Sequence, residues 1–162
     1  MNELAQLIGF IAAHAIWSVS DAGPLVPMIG FQRPDGSRSL VRFADPDMAR
    51  GVEQARAWLA SNPEHATMAV AALDGYYPMA AGKADAVILE GRRYAPTVER
   101  LEMAAPYRPK SATAPFAVYR PKFLRVSGDS PDYAKLGTHF FAGVDSHPEG
   151  AKVWNAHADQ GK

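Results

Sequence analysis

Apolar residues recur along the first segment at the spacing of one helical face, with Leu4, Leu7, Ile8, Ile11 and Ala15 three or four positions apart. This spacing predicts a helix with Asn2 as its N-cap. Phe10, His14 and Trp17 form a neighbouring stripe, and Ala5, Gly9, Ala12 and Ile16 fill the opposite side. A helix apolar nearly all round needs cover on more than one side. Either the sheet and a second element sandwich it, or a second subunit covers what the sheet leaves.

Beyond the loop from Ser18 to Pro24 the period changes. Segments 27–32 and 39–43 flank Pro34, Asp35 and Gly36, the composition of a hairpin. Asp45 as N-cap, Pro46 at the first helical position and Asp47 in the first turn then open a helix. It carries Met48, Val52, Ala55 and Leu59 on one face and stops at Asn62 before Pro63. From Thr67 to Tyr94 two long strands are expected around a turn at Ala81, Gly82 and Lys83. In the second of them Ala84, Ala86, Ile88 and Glu90 share one face, and Asp85, Val87 and Leu89 the other. Asp74-Gly75 reads as a bulge or as a turn that shortens the strand.

Residues 97–105 fit either period, and the flanking Pro96 and Pro106 favour a strand over a helix of two turns. Segments 116–120 and 123–126 read as one last strand bent by Pro121 at a sheet edge. Ser130-Pro131 opens a short helical turn, and the run from Ser146 to Glu149 opens a helix to about Ala158. The expected fold is therefore α+β: an antiparallel sheet of about five to six strands, hairpin plus meander, two main helices on one face, and short C-terminal helices. The 162 residues are read as one domain, 1–162.

Composition narrows the functions. With no cysteine, disulfides, thiolate nucleophiles, iron–sulfur clusters and cysteine zinc sites are excluded. Lysine plus arginine equals aspartate plus glutamate at 17 each, so no net field draws in nucleic acid or acidic lipid, and any electrostatic function is local. The apolar opening segment carries Glu3 at its front and is too short to span a bilayer, so the expectation is a cytoplasmic chain without a membrane partner.

Charge placement is the distinctive feature. Residues 92–125 hold eight basic side chains against two acidic, and the string Tyr-Arg-Pro-Lys occurs there twice, at 107–110 and at 119–122. Arginines beside aromatics grip phosphates and stack on bases, and also suit protein interfaces. The bland alternative is a solvated face whose arginines pair with Glu99, Glu102 and the acidic first half. Gly128-Asp129-Ser130-Pro131 superficially resembles the GDS strings of some serine hydrolases, but a capping serine before proline accounts for it. His139, His147 and His157 are spaced for neither a helical nor a strand metal pair, so neither metal nor cofactor is expected. His14 reads as a satisfied polar group, pH-sensitive if buried. Asp85, on the face of Val87 and Leu89, needs partners if it enters the core.

Three functions follow. The first is a non-enzymatic binding domain forming a homodimer through Leu4, Ile8, Ile11, Phe10 and Trp17. The second is a binder of a small anionic ligand or single-stranded nucleic acid through Tyr107, Arg108, Tyr119, Arg120, Arg100 and Asp85. The third is an enzyme with a dispersed site of Asp85, Tyr76, Arg108 and His139.

Overall fold

The opening helix, α1 (Asn2–Val19), buries eleven of its residues and lies through the middle of the molecule. The computed structural model describes residues 1–159 and 161. Seven further elements follow the hairpin of β1 (Met28–Gln32) and β2 (Arg38–Arg42) and the helix α2 (Met48–Ser61). They are β3 (Met68–Met79), β4 (Gly82–Arg93), β5 (Glu99–Arg108), β6 (Ala117–Tyr119), β7 (Lys122–Val126), α3 (Tyr133–Asp145) and α4 (Pro148–His157), after which β8 (Ala158–Asp159) closes the described chain. The strands form one sheet in the order β2-β1-β3-β4-β5-β6-β8, with β7 also paired to β5. Every pairing is antiparallel except β6 with β8.

The α+β class stands, but among the described residues the sheet has eight strands where about five to six are expected. What reads as one bent strand across Pro121 is broken there: β6 takes the end of β5 at Tyr107 and Arg108, and β7 takes Leu101 to Ala104 with a register shift. β8 is two residues long and leaves no periodic signal. The β3–β4 register runs unbroken through Asp74-Gly75, so neither a bulge nor a turn interrupts it. Glycine stands at 75 because a Cβ there would meet Ile88 at 2.7 Å.

The helices lie on both faces, not one. α1, α3 and α4 share a core with Val70, Ala72, Val87, Leu89, Leu101 and Met103. On the opposite face α2 brings Ala55 and Leu59 to Ile29, Phe31, Ala69, Ala71 and Leu73. Both sets were available because β1 and β3 are apolar at consecutive positions and not only at alternate ones. α2 begins two residues later than its sequence suggests, with the Asp47 side chain accepting from the Ala49 N–H. It ends on Asn62 in the left-handed region at φ 47°, where the side chain bonds both the N–H and the carbonyl of Ala66. Asn62→Ala is expected to lower stability by about 2 kcal/mol in chemical denaturation, from lost hydrogen bonds and strained backbone.

α3 runs for thirteen residues where a short turn is expected, α4 matches the expected helix to about Ala158, and together they provide the second cover for α1. Gly9 and Gly143 allow α1 and α3 to touch backbone to backbone: a Cβ on Gly9 would lie 1.9 Å from the Phe140 carbonyl oxygen, and one on Gly143 2.0 Å from that of Gln6. Gly150 of α4 is also held against α1, a Cβ there lying 2.5 Å from the Ala13 carbonyl oxygen. On the sheet side, Ile11 fills the space over Gly30 and Ile8 the space over Gly91. The basic run is partly self-neutralised, since Arg93 pairs with Glu99 and Glu3, and Arg125 with Glu102, while Glu90 is held by Arg56 of α2. No helix among the described residues is long and apolar enough to cross a membrane.

Candidate anion-binding site

Two histidines 133 positions apart meet where the last turns of α1 pass the start of α4. His147 is the N-cap of α4, and its Nδ1 accepts the Gly150 N–H at 2.9 Å. Within the run from Ser146 to Glu149 expected to open this helix, the cap is thus His147, with Pro148 at the first helical position. Because a backbone N–H can only donate, Nδ1 carries the lone pair, and the proton of a neutral imidazole sits on Nε2. That Nε2 faces Nδ1 of His14 at 3.0 Å, so His14 accepts there and carries its own proton on Nε2. Direction is thus passed from a peptide N–H through two rings to the surface.

At the end of this chain stands Arg42 of β2, its Nη2 3.1 Å from His14 Nε2. Both nitrogens are donors in these protonation states. Two N–H groups therefore converge on the same space, and one oxygen able to accept from both relieves their mutual repulsion. The surroundings are mixed. Trp17 packs edge-on against His14, with centroids 5.6 Å apart, and Phe10 lies 4.8 Å from the His147 ring. The Arg38 guanidinium lies 5.4 Å over the Phe10 ring. Phe10, Ile11, His14, Arg38, Leu40 and His147 line a cleft of about 250 Å³. Burial holds both histidines below their ordinary pKa, and for His14 the neighbouring His147 and Arg42 push the same way. The neutral rings that the hydrogen bonds require are thus the favoured ones near pH 7.

The residues singled out from the sequence are placed differently. Tyr107 and Tyr119 of the repeated tetrapeptides are buried, at 6% and 8% exposure. Burial, followed by Asp74, Asp85 and Tyr76, pushes the Tyr107 hydroxyl up to about 12. Arg108 turns back to donate to the Pro115 carbonyl at 3.0 Å, bracing its own loop. Arg100 stands opposite Arg92 across β4 and β5, and Arg120 is an exposed residue just before Pro121. Asp85 is half-buried and sits in register between Tyr76 and Tyr107, with Asp74 diagonal to it; burial and the Asp85 charge raise the Asp74 carboxyl. His139 lies on α3, which packs chiefly on α1, so the strands do not bring it to Asp85. A wider depression of about 560 Å³ at the β3–β4 turn takes in Tyr119 and Lys122 but neither Arg108 nor Asp85.

Of the expected interface residues, Leu4, Ile8 and Ile11 lie inside the chain, Phe10 is half-buried, and Trp17 is exposed. His147 pairs with His14, and His157 stacks on Phe116, so the histidine trio is dispersed. Among the described residues no group of three or more metal-binding side chains converges. Ser130 caps nothing, because Asp132 takes that position for α3. Arg38 and Arg42 were missed by sequence reasoning. Their signal is the Arg-Ser-Leu-Val-Arg alternation of an expected strand, which places both arginines and Leu40 on one face. No family model, curated protein or solved structure matches this chain.

Proposed function

We propose that this protein is a non-enzymatic binding domain whose ligand presents a carboxylate or phosphate group, received between Arg42 and His14. The supporting observation is the donor direction fixed by Gly150: it leaves the His14 Nε2–H and the Arg42 guanidinium aimed at one point. A bound oxyanion converts that contact into two hydrogen bonds, one of them charge-assisted. Phe10, Ile11 and Leu40 give the adjoining cleft an apolar wall of the kind small-ligand clefts use.

This places the anion site away from the expected Tyr107–Lys110 and Tyr119–Lys122 strings. The buried Tyr107 and Tyr119 rings are not offered for base stacking, which weakens the nucleic-acid version of that reading. Self-association through α1 finds little support, because three of its five expected contacts are already inside the chain. A dispersed catalytic set is not proposed, since His139 and Asp85 belong to different layers.

Titration with inorganic phosphate and with succinate, followed by the ring nitrogen resonances of His14 and His147 and by Trp17 fluorescence, tests the proposal. Saturable shifts at both histidines are expected, weakening as chloride rises, lost in Arg42→Gln and kept in Arg108→Gln. Unchanged binding in Arg42→Gln, or loss in Arg108→Gln, returns the site to the basic tetrapeptides.

A further inference from the structure

Among the described residues β2 is an outer strand of the sheet, paired on one side only. Its register with β1 fixes which of its backbone groups face outward. Phe43 donates to Pro27, and Arg33 donates to Ser37, so the residues of β2 bonded inward are Ser39 and Val41. The N–H and carbonyl groups of Arg38, Leu40 and Arg42 therefore point to the open edge. Their side chains share the face that carries the cleft: Leu40 packs against the α1 core, whereas Val41 and Phe43 pack toward α2.

These two facts coincide on the same three residues. We infer that β2 is a docking edge for an extended acidic peptide of a partner protein, which adds as a further strand and sets its side chains into the cleft. The inference rests on the anion-site reading of Arg42 and His14. In such a pairing the partner residues opposite Arg38, Leu40 and Arg42 lie on the same face as them. The recognised pattern is thus acidic, any, apolar, any, acidic. It reads the same in both directions, so parallel and antiparallel additions satisfy it alike. One acidic side chain meets Arg38, the other meets Arg42 and the His14 Nε2–H, and the central apolar side chain enters the cleft of about 250 Å³ over Leu40 and Phe10.

Charge decides between this occupant and a second copy of the chain. A two-fold pairing of β2 with itself about Leu40 sets Arg38 opposite the Arg42 of the other copy, twice, and like charges directly opposed are destabilising. Arginines along an edge deter self-pairing while leaving the edge open to an acidic strand.

The test uses the full chain and a capped seven-residue peptide with Glu-Thr-Leu-Thr-Glu at its centre. Amide hydrogen exchange is expected to slow at Arg38, Leu40 and Arg42 on peptide addition and to stay unchanged at Ser39 and Val41, which are bonded to β1 already. A peptide N-methylated at alternate residues, a lysine-for-glutamate peptide, and the Arg42→Gln protein are each expected to bind at least about tenfold more weakly, roughly 1.4 kcal/mol. Folding of Arg42→Gln is verified by its amide spectrum. Phosphate binding without alternate protection by the peptide overturns the strand-addition inference and leaves the anion site standing. Alternate protection that is indifferent to Arg42→Gln overturns the charge pairing and the anion site together. Alternate protection that grows with protein concentration and needs no peptide assigns the edge to a second copy and overturns the acidic partner.

Discussion

Gly143→Ala is expected to lower the unfolding free energy by about 3 kcal/mol, read as a shift of the denaturant midpoint at constant slope. The added methyl would lie 2.0 Å from the Gln6 carbonyl oxygen and 2.9 Å from the Phe10 nitrogen. Both are backbone atoms of α1, which cannot swing aside as a side-chain tip would. α3 must lift off, and Phe140 and Val144, both fully buried, lose contact with the core. The same helix supplies a control. Gly137 has nothing within 4 Å of its Cβ position, so Gly137→Ala is expected to raise stability by about 0.5 to 1 kcal/mol through helix propensity alone. Equal effects of the two substitutions would remove the close crossing of α1 and α3 as the reason for the glycine.

The second large effect concerns His147. His147→Ala removes the N-cap of α4, empties a buried position beside Phe10 and leaves His14 Nδ1 without its donor. A lost cap and an unsatisfied polar group together are expected to cost about 2 kcal/mol at pH 7.5. The pH dependence supplies the sign. Both histidines have folded-state pKa values below the ordinary value of about 6.5, chiefly through burial, so the folded protein takes up protons less readily than the unfolded chain. Their contribution is fully present above about pH 6.5 and declines as the pH falls below it. Arg42 on the His14 side works in the same direction, and Glu149 on the His147 side opposes it. The wild-type protein should therefore lose stability between pH 7 and pH 5, and the gap to His147→Ala should narrow over that interval. A constant gap across the interval would show that His147 acts only as a cap and a filler of space.

Much of the architecture was legible residue by residue. The hairpin at Asp35-Gly36, the long pair on either side of Gly82, and the strand through Leu101 and Met103 all follow from local period and turn chemistry. The requirement that α1 be covered twice was also readable from its composition. The identity of the cover was not. The segment after Ser130-Pro131 reads as a short turn, whereas it forms the thirteen-residue α3, and nothing local in the sequence shows that Gly143 and Gly150 are points of backbone contact with α1. The helices were expected on one face, but β3 is apolar at consecutive positions, so Ala69, Ala71 and Leu73 form the floor beneath α2 while Val70 and Ala72 face α1.

The candidate site was less visible still. His14 and His147 were each noted, but for other roles, because nothing local ties residues 133 positions apart. The basic segment drew attention through density of charge. Arg93 and Arg125 are instead engaged in ion pairs at Glu99 and Glu102 and Arg108 in a loop brace at Pro115, while Arg38, which lines the cleft, and Arg42, which meets His14, lie in a segment of unremarkable charge. Density along the chain and convergence in space are independent quantities in a sheet whose neighbours come from distant segments.

The central position of α1 bears on synthesis. α1 is apolar nearly all round, yet the glycines that receive it from α3 and α4 follow it by more than 120 residues along the chain. At about 5–20 residues per second the nascent chain carries that uncovered helix for roughly ten seconds. Over that interval the growing chain is a natural client for factors that shield apolar segments, and slowing translation ahead of residue 133 should lower the yield of soluble protein more than slowing it after residue 157.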